Sequence, residues 1–176
     1  MPTLSARLAA LALALALPLC LAACDGGGDT DQPPTSEAAD GLADPDTAFL
    51  DSYADRDGVV VRDSGLMYRV MESGDGATAE PGDYVRVHYR GRYVDGTEFD
   101  SSYGGEPAVL RSDRVIQGWV EALSLMQEGA TWELAIPARL AYGESGRGKI
   151  PGGATLVFKV ELLEVLGPTR QQSQGE

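Results

Sequence analysis

The feature that most restricts this chain is a single apolar helical stripe set among segments that all alternate like β-strand. Val115-Ile116-Gln117-Gly118-Trp119 leads two β-branched residues through a glycine into a tryptophan. From there Trp119, Ala122, Leu123 and Met126 recur at i, i+3, i+4 and i+7, one face about two turns long. Gly129 is expected to end that helix, as glycine commonly does just past a C-terminus. On either side the period is two. Val85, Val87 and Tyr89 fall on one face of residues 84–94, with Arg86, His88 and Arg90 on the other. Asp95-Gly96 then reads as a hairpin turn returning through Thr97 to Ser101. Further strands are expected at 59–61, 66–72 and 107–111, at Trp132, Leu134 and Ile136, and at 155–165, where Leu156, Phe158, Val160 and Leu162 share a face. So short a helix can bury its stripe only under a sheet made from these strands. Taken alone, Trp119 is a core aromatic; it becomes a pocket floor only if other segments bring rings to it.

Charge and cysteine usage remove several function classes. The 176 residues suit one domain with extensions, and the formal net charge of -13 argues against nucleic acid and against attraction to anionic lipid. Ten acids lie between Asp25 and Asp57 against the single base Arg56. His88 is the only histidine, expected on the outer face of its strand, so neither a metal-ligand cluster nor a histidine-based triad is expected. Gly143-Glu144-Ser145-Gly146-Arg147-Gly148-Lys149 imitates a phosphate-binding loop. It lacks the following Ser or Thr, having Ile150 and Pro151 there, and lacks a strand before it and a helix after it. It reads as a long glycine-rich loop, and no cofactor is expected.

The N-terminus has the layout of a secretory signal, with Arg7 before an Ala/Leu run from Leu8 to Ala23. Leu21-Ala22-Ala23-Cys24 resembles the lipobox of bacterial lipoproteins, which implies cleavage before Cys24, lipidation of its thiol and a membrane-anchored place in the bacterial cell envelope, periplasm-facing or at the surface. Ordinary cleavage near Ala23 is the plainer alternative. Cys20 would leave with the signal, so no free thiol would remain for a disulfide, a nucleophile or zinc. The expected organisation is a signal peptide at 1–23, an acidic disordered tether at 24–45, a short helix at 46–57, a folded domain at 58–167 and a tail at 168–176.

Five stretches carry a specific resemblance: Val87-His88-Tyr89-Arg90-Gly91, Asp95-Gly96-Thr97-Glu98-Phe99-Asp100-Ser101-Ser102, Val115-Ile116-Gln117-Gly118-Trp119, Leu140-Ala141-Tyr142-Gly143 and Ala154-Thr155-Leu156-Val157-Phe158. In order and spacing they resemble the FK506-binding (FKBP) type of peptidyl-prolyl cis-trans isomerase, over about Gly58 to Leu166, and within it the bacterial members related to macrophage infectivity potentiator. The fold so implied is α+β, an antiparallel sheet of five or six strands wrapped around one short helix. The resemblance implies a proline pocket lined by Tyr89, Phe99, Val115, Ile116, Trp119, Tyr142, Ile150 and Phe158, with Asp100 as its one carboxylate. It assigns Asp100, Tyr142 and Tyr89 to catalysis, and has the Ile116 amide and Tyr142 hydroxyl bonding peptide carbonyls. Alone, Tyr89 and Phe158 would pass for core residues and Asp100 for a turn-former.

The implied partners are proline-containing unfolded or partly folded envelope proteins, FK506- or rapamycin-type inhibitors, and the membrane through Cys24. A non-catalytic holding module using the same groove is the alternative. Three departures bear on the carry-over. Ala108 stands where many members have a wall phenylalanine, the loop after Tyr142 is shorter, and Arg147 and Lys149 are more basic than usual, which points toward acidic neighbours of the proline. The long dimerising helix of the infectivity-potentiator type is also absent, so a monomer is expected.

Overall fold

The computed structural model describes residues 44–168. The signal segment, Cys24, the tether up to residue 43 and the tail beyond residue 168 lie outside the described residues. In chain order the elements are α1 (Pro45–Ala54), β1 (Val59–Val61), β2 (Met67–Glu72), β3 (Tyr84–Tyr93), β4 (Glu98–Ser101), β5 (Ala108–Arg111), α2 (Gln117–Leu123), β6 (Thr131–Ile136), a 3-10 turn at Ala138–Leu140, and β7 (Leu156–Gly167). The strands form one antiparallel sheet in the order β1-β2-β6-β7-β3-β4, with β5 also on β3. There are seven strands, one at each segment read as strand from alternation, where the family resemblance implied five or six. The outer edge of β3 is shared, holding β5 along Tyr84–Val87 and β4 along Arg90–Arg92.

β3 and β7 make the long axis of the sheet, pairing from Tyr84↔Gly167 to Tyr93↔Leu156. Alternation decides what they bury. Val85 and Val87 on β3, and Leu156, Phe158, Val160 and Leu162 on β7, turn to one face and are at most 5% exposed. Trp119, Ala122 and Leu123 of α2 are buried with them in the same apolar cluster. Gly118 allows the helix to come this close, since a Cβ there would lie 2.6 Å from Cγ2 of Ile136 on β6.

α2 is shorter than its stripe. It ends at Leu123 with Ser124 as C-cap, not at Gly129. The Ser124 hydroxyl donates to the Glu121 carbonyl at 2.7 Å, satisfying an end carbonyl, and Gln127 pairs with Thr78. Met126 stays fully buried although it lies past the helix. Gly129, at φ 88°, makes the turn that delivers the chain to β6.

A second helix lies against the sheet. Tyr53 of α1 is fully buried, stacks on Phe49 at 5.7 Å, and its hydroxyl donates to Glu133 Oε1 at 3.1 Å. Glu133 alternates with Trp132, Leu134 and Ile136, so α1 covers the face of β6 opposite α2. That explains why Ala135 is as buried as Leu134. Arg69 of β2 pairs with Glu133 at 3.2 Å, and the Thr155 amide donates to Asp46. Burial, and then the Glu133 carboxylate, push the Tyr53 phenol well above its ordinary pKa. Replacing Tyr53 by alanine should therefore cost about 3–5 kcal/mol, as for other large buried side chains, measured as a drop in the urea midpoint without a change in slope. A loss below about 0.5 kcal/mol would mean that α1 is not docked.

Candidate functional site

Where β3, β4 and β7 meet the start of α2, the aromatic residues pack edge to face. The Trp119 ring, 4% exposed, meets Phe158 at 5.3 Å and 86° and Tyr89 at 5.5 Å and 85°. Phe99 meets Phe158 at 5.6 Å and 89°. Such pairs bring the positive edge of one ring to the negative face of the next and add about 0.5–1.5 kcal/mol each beyond area burial. Gly91 makes the cluster possible. A Cβ on it would lie 2.6 Å from Phe99 Cζ and 2.8 Å from Phe158 Cε1.

Above these rings opens a cleft of about 710 Å³. The structure brings all nine sequence-predicted residues to it: Tyr89, Phe99, Asp100, Val115, Ile116, Trp119, Tyr142, Ile150 and Phe158. They arrive from five places. Tyr89 comes from β3, Phe99 and Asp100 from β4, Val115 to Trp119 from the entry to α2, Tyr142 and Ile150 from the long loop, and Phe158 from β7. The loop holds its shape through its own backbone. Gly143 donates to the Ala138 carbonyl and Gly153 to the Gly143 carbonyl, while Arg147 and Ile150 exchange two bonds of 2.9 Å. No strand enters this loop and no helix leaves it, which removes the phosphate-loop imitation.

The polar groups nearest the rings are held in place. The Tyr89 hydroxyl donates to Asp100 Oδ2 at 2.8 Å, and Asp100 Oδ1 accepts the Ser101 amide at 3.0 Å. Burial raises the Tyr89 pKa, with the hydrogen bond to Asp100, the Asp100 charge and the Tyr142 phenol adding to it, to about 12. Tyr89 is thus a neutral donor at any physiological pH. Ile116 is the N-cap of α2, and its amide donates to no other described residue, as is usual where a helix begins. His88 faces away from the cleft side of β3, half-buried and stacked on Tyr103 at 5.1 Å.

Sequence reasoning missed Leu110, Arg114, Gln117, Ala141 and Gly148, which also line the cleft. Gln117 and Ala141 lie inside quoted motifs, and Arg114 and Gly148 adjoin a motif or the loop cations, so position in the chain was the available signal. Leu110 supplies a wall residue from β5 that the motifs did not name. Ala108 packs half-buried against the core, and the residue two further along β5 is the one that lines the cleft.

Two outcomes follow from this packing. Gly91→Ala should cost about 1–3 kcal/mol through overpacking, read from chemical denaturation. Because the folded-state pKa of Tyr89 lies above its ordinary 10.0, the stability that its phenol contributes is fully present below about pH 10 and is lost as pH rises through about 12. The difference in unfolding free energy between the natural chain and Tyr89→Phe should be flat below pH 10 and shrink above it. A flat difference throughout would refute the raised phenol pKa.

Comparison with known proteins agrees with this geometry. The family pattern described as FKBP-type peptidyl-prolyl cis-trans isomerase matches residues 76–163. The chain is 53% identical over 120 residues to the FKBP-type 22 kDa peptidyl-prolyl cis-trans isomerase of Escherichia coli, covering 67% of this chain and 58% of that one. It is 46% identical over 120 residues to the outer membrane protein MIP of Legionella longbeachae, covering 67% and 52%. The chain thus spans about half the length of the curated relatives it matches. Among solved structures, FkpA from Escherichia coli aligns with a TM-score of 0.69 at 42% identity, covering 70% of this chain and 59% of that one. A peptidyl-prolyl cis-trans isomerase from Pseudomonas syringae pv. tomato aligns with a TM-score of 0.65 at 36% identity, covering 69% and 90%. Ordered motifs, fold and matched span agree, and the chain belongs to the FKBP-type peptidyl-prolyl cis-trans isomerase family.

Proposed function

We propose that the chain isomerises X–Pro bonds of partly folded proteins in the bacterial cell envelope. The observation that carries this reading is the cleft itself, an aromatic floor with one hydrogen-bonded carboxylate and a free backbone donor at its edge. Rotation about an X–Pro amide is opposed by lost resonance, a barrier of about 18–20 kcal/mol. No bond to an enzyme group need form. The planar amide is strongly polar and the twisted one much less so, so an apolar slot favours the twisted form relative to water. The Trp119, Phe99 and Phe158 rings supply that slot and hold the proline ring. The Ile116 amide and the Tyr142 hydroxyl anchor carbonyls beside it, fixing one side of the bond while the other turns. Asp100, oriented by Tyr89, places negative charge where the rotating amide redistributes its own.

A lipid anchor on Cys24 would hold this site at a membrane, and the Leu21-Ala22-Ala23-Cys24 motif supports it. The relative from Legionella longbeachae, named an outer membrane protein, supports an envelope location. Among the described residues no helix is long and apolar enough to cross a membrane. The domain acts as a monomer in this reading.

A protease-coupled assay on a proline tetrapeptide tests the function. Asp100→Ala should lower kcat/KM by about tenfold, which corresponds to about 1.4 kcal/mol of transition-state stabilisation, and Tyr142→Phe should lower it by a smaller factor of about three to ten. Both variants should keep the thermal midpoint within a few degrees. FK506 should abolish the activity. Drug binding without turnover would replace the enzyme by the holding module. Cys24→Ser should move the protein from the membrane to the soluble fraction, and unchanged fractionation would remove the lipid anchor.

A further inference from the structure

The cleft carries charge of the opposite sign to the chain around it. Three cations line it, Arg114, Arg147 and Lys149, and all three are exposed. Its one carboxylate is occupied, with Asp100 Oδ2 accepting from Tyr89 and Oδ1 from Ser101. Elsewhere five arginines are neutralised: Arg62, Arg69, Arg86, Arg90 and Arg111 each lie 2.6 to 3.2 Å from a carboxylate oxygen. Among the described residues no such pair involves the three rim cations. In a chain of net charge -13, three such cations share one cleft with a single carboxylate.

Their placement is fixed by backbone. The turn that presents Arg147 and Lys149 is closed by the two bonds between Arg147 and Ile150, and the Tyr93 hydroxyl donates to the Lys149 carbonyl at 2.8 Å. The amide of Arg114 donates to the Arg111 carbonyl at 3.1 Å, holding it just ahead of Val115. Each cation is therefore within a residue of a cleft-lining apolar side chain, Val115 or Ile150, or separated from one only by Gly148 and Lys149.

We propose that this rim makes the cleft selective for prolines with an acidic residue immediately before or after them, a refinement that rests on the isomerase reading of the same site. An acidic side chain beside the bound proline meets cations with no competing internal partner. A basic one meets the same cations as repulsion. The negative charge of the remainder of the chain acts in the opposite direction, but beyond about 10 Å it is largely screened at 0.1 M salt. Contacts at the rim are closer than that, so they set the preference.

The test uses two tetrapeptide series, varying only the residue before proline or only the residue after it among Glu, Ala and Lys. For each peptide both kcat/KM and affinity, read by intrinsic tryptophan fluorescence, are measured. In at least one series Glu should exceed Lys by about fivefold at about 0.1 M salt and by less than about twofold at about 1 M, as expected of exposed ion pairs. The double variant Arg147→Glu with Lys149→Glu should invert the order, and since the readout is a ratio within one protein, any change in its absolute rate does not enter. Equal ratios for Glu and Lys in both series, or a preference unchanged by the double variant, overturn the proposal. Turnover absent from every peptide overturns the isomerase reading alone, because the affinities still report whether the rim prefers Glu. Absence of binding by all peptides overturns both.

Discussion

The edge-to-face contact of Trp119 with Phe158 and Tyr89 is the interaction on which the rest depends. It joins the helix to β7 and β3 at once, and it does so with faces that remain flat and apolar. A sheet of this size could bury a two-turn helix with aliphatic side chains alone. Rings at right angles leave a hollow above them instead, because neither can tilt without losing contact with the other. The helix start, the hairpin strand and the long loop then become walls. Gly91 and Gly118 are where the chain removes side chains so that this packing can close.

The polar groups of the cleft are arranged by the same economy. Tyr89 contributes its ring to the aromatic cluster and its hydroxyl to Asp100, so one residue packs the floor and orients the carboxylate. Its phenol stays neutral because burial and the neighbouring negative charge both oppose ionisation. The cations belong to another layer. They are exposed and pinned by backbone turns at the rim, whereas the rings form the floor.

On the other face of the sheet, α1 brings Tyr53 into full burial against Glu133. The two helices therefore stabilise β6 from both sides. Ala135 shows the consequence: it lies on the face that alternation alone would assign to solvent, yet it is fully buried. No pattern within 131–136 distinguishes this strand from one with a single buried face. The covering residue lies some eighty positions earlier, in a helix too short to be stable without the contact.

The sequence alone determined the strands, the one internal helix and the set of rings, because side-chain alternation and helical spacing are local and the family motifs occur in fixed order. It also placed Asp100 and Tyr142 with the aromatic group through that order. Only the tertiary structure decided where the helix stops, since Ser124, Gln127 and buried Met126 outweigh the local stop at Gly129. Only it brought Leu110 of β5 to the cleft, which depends on how β5 seats on β3. The gathering of Arg114 with Arg147 and Lys149 is of the same kind. Residues more than thirty positions apart become neighbours only when β6 and the long loop have returned the chain to the head of α2, and no local periodicity records such a meeting.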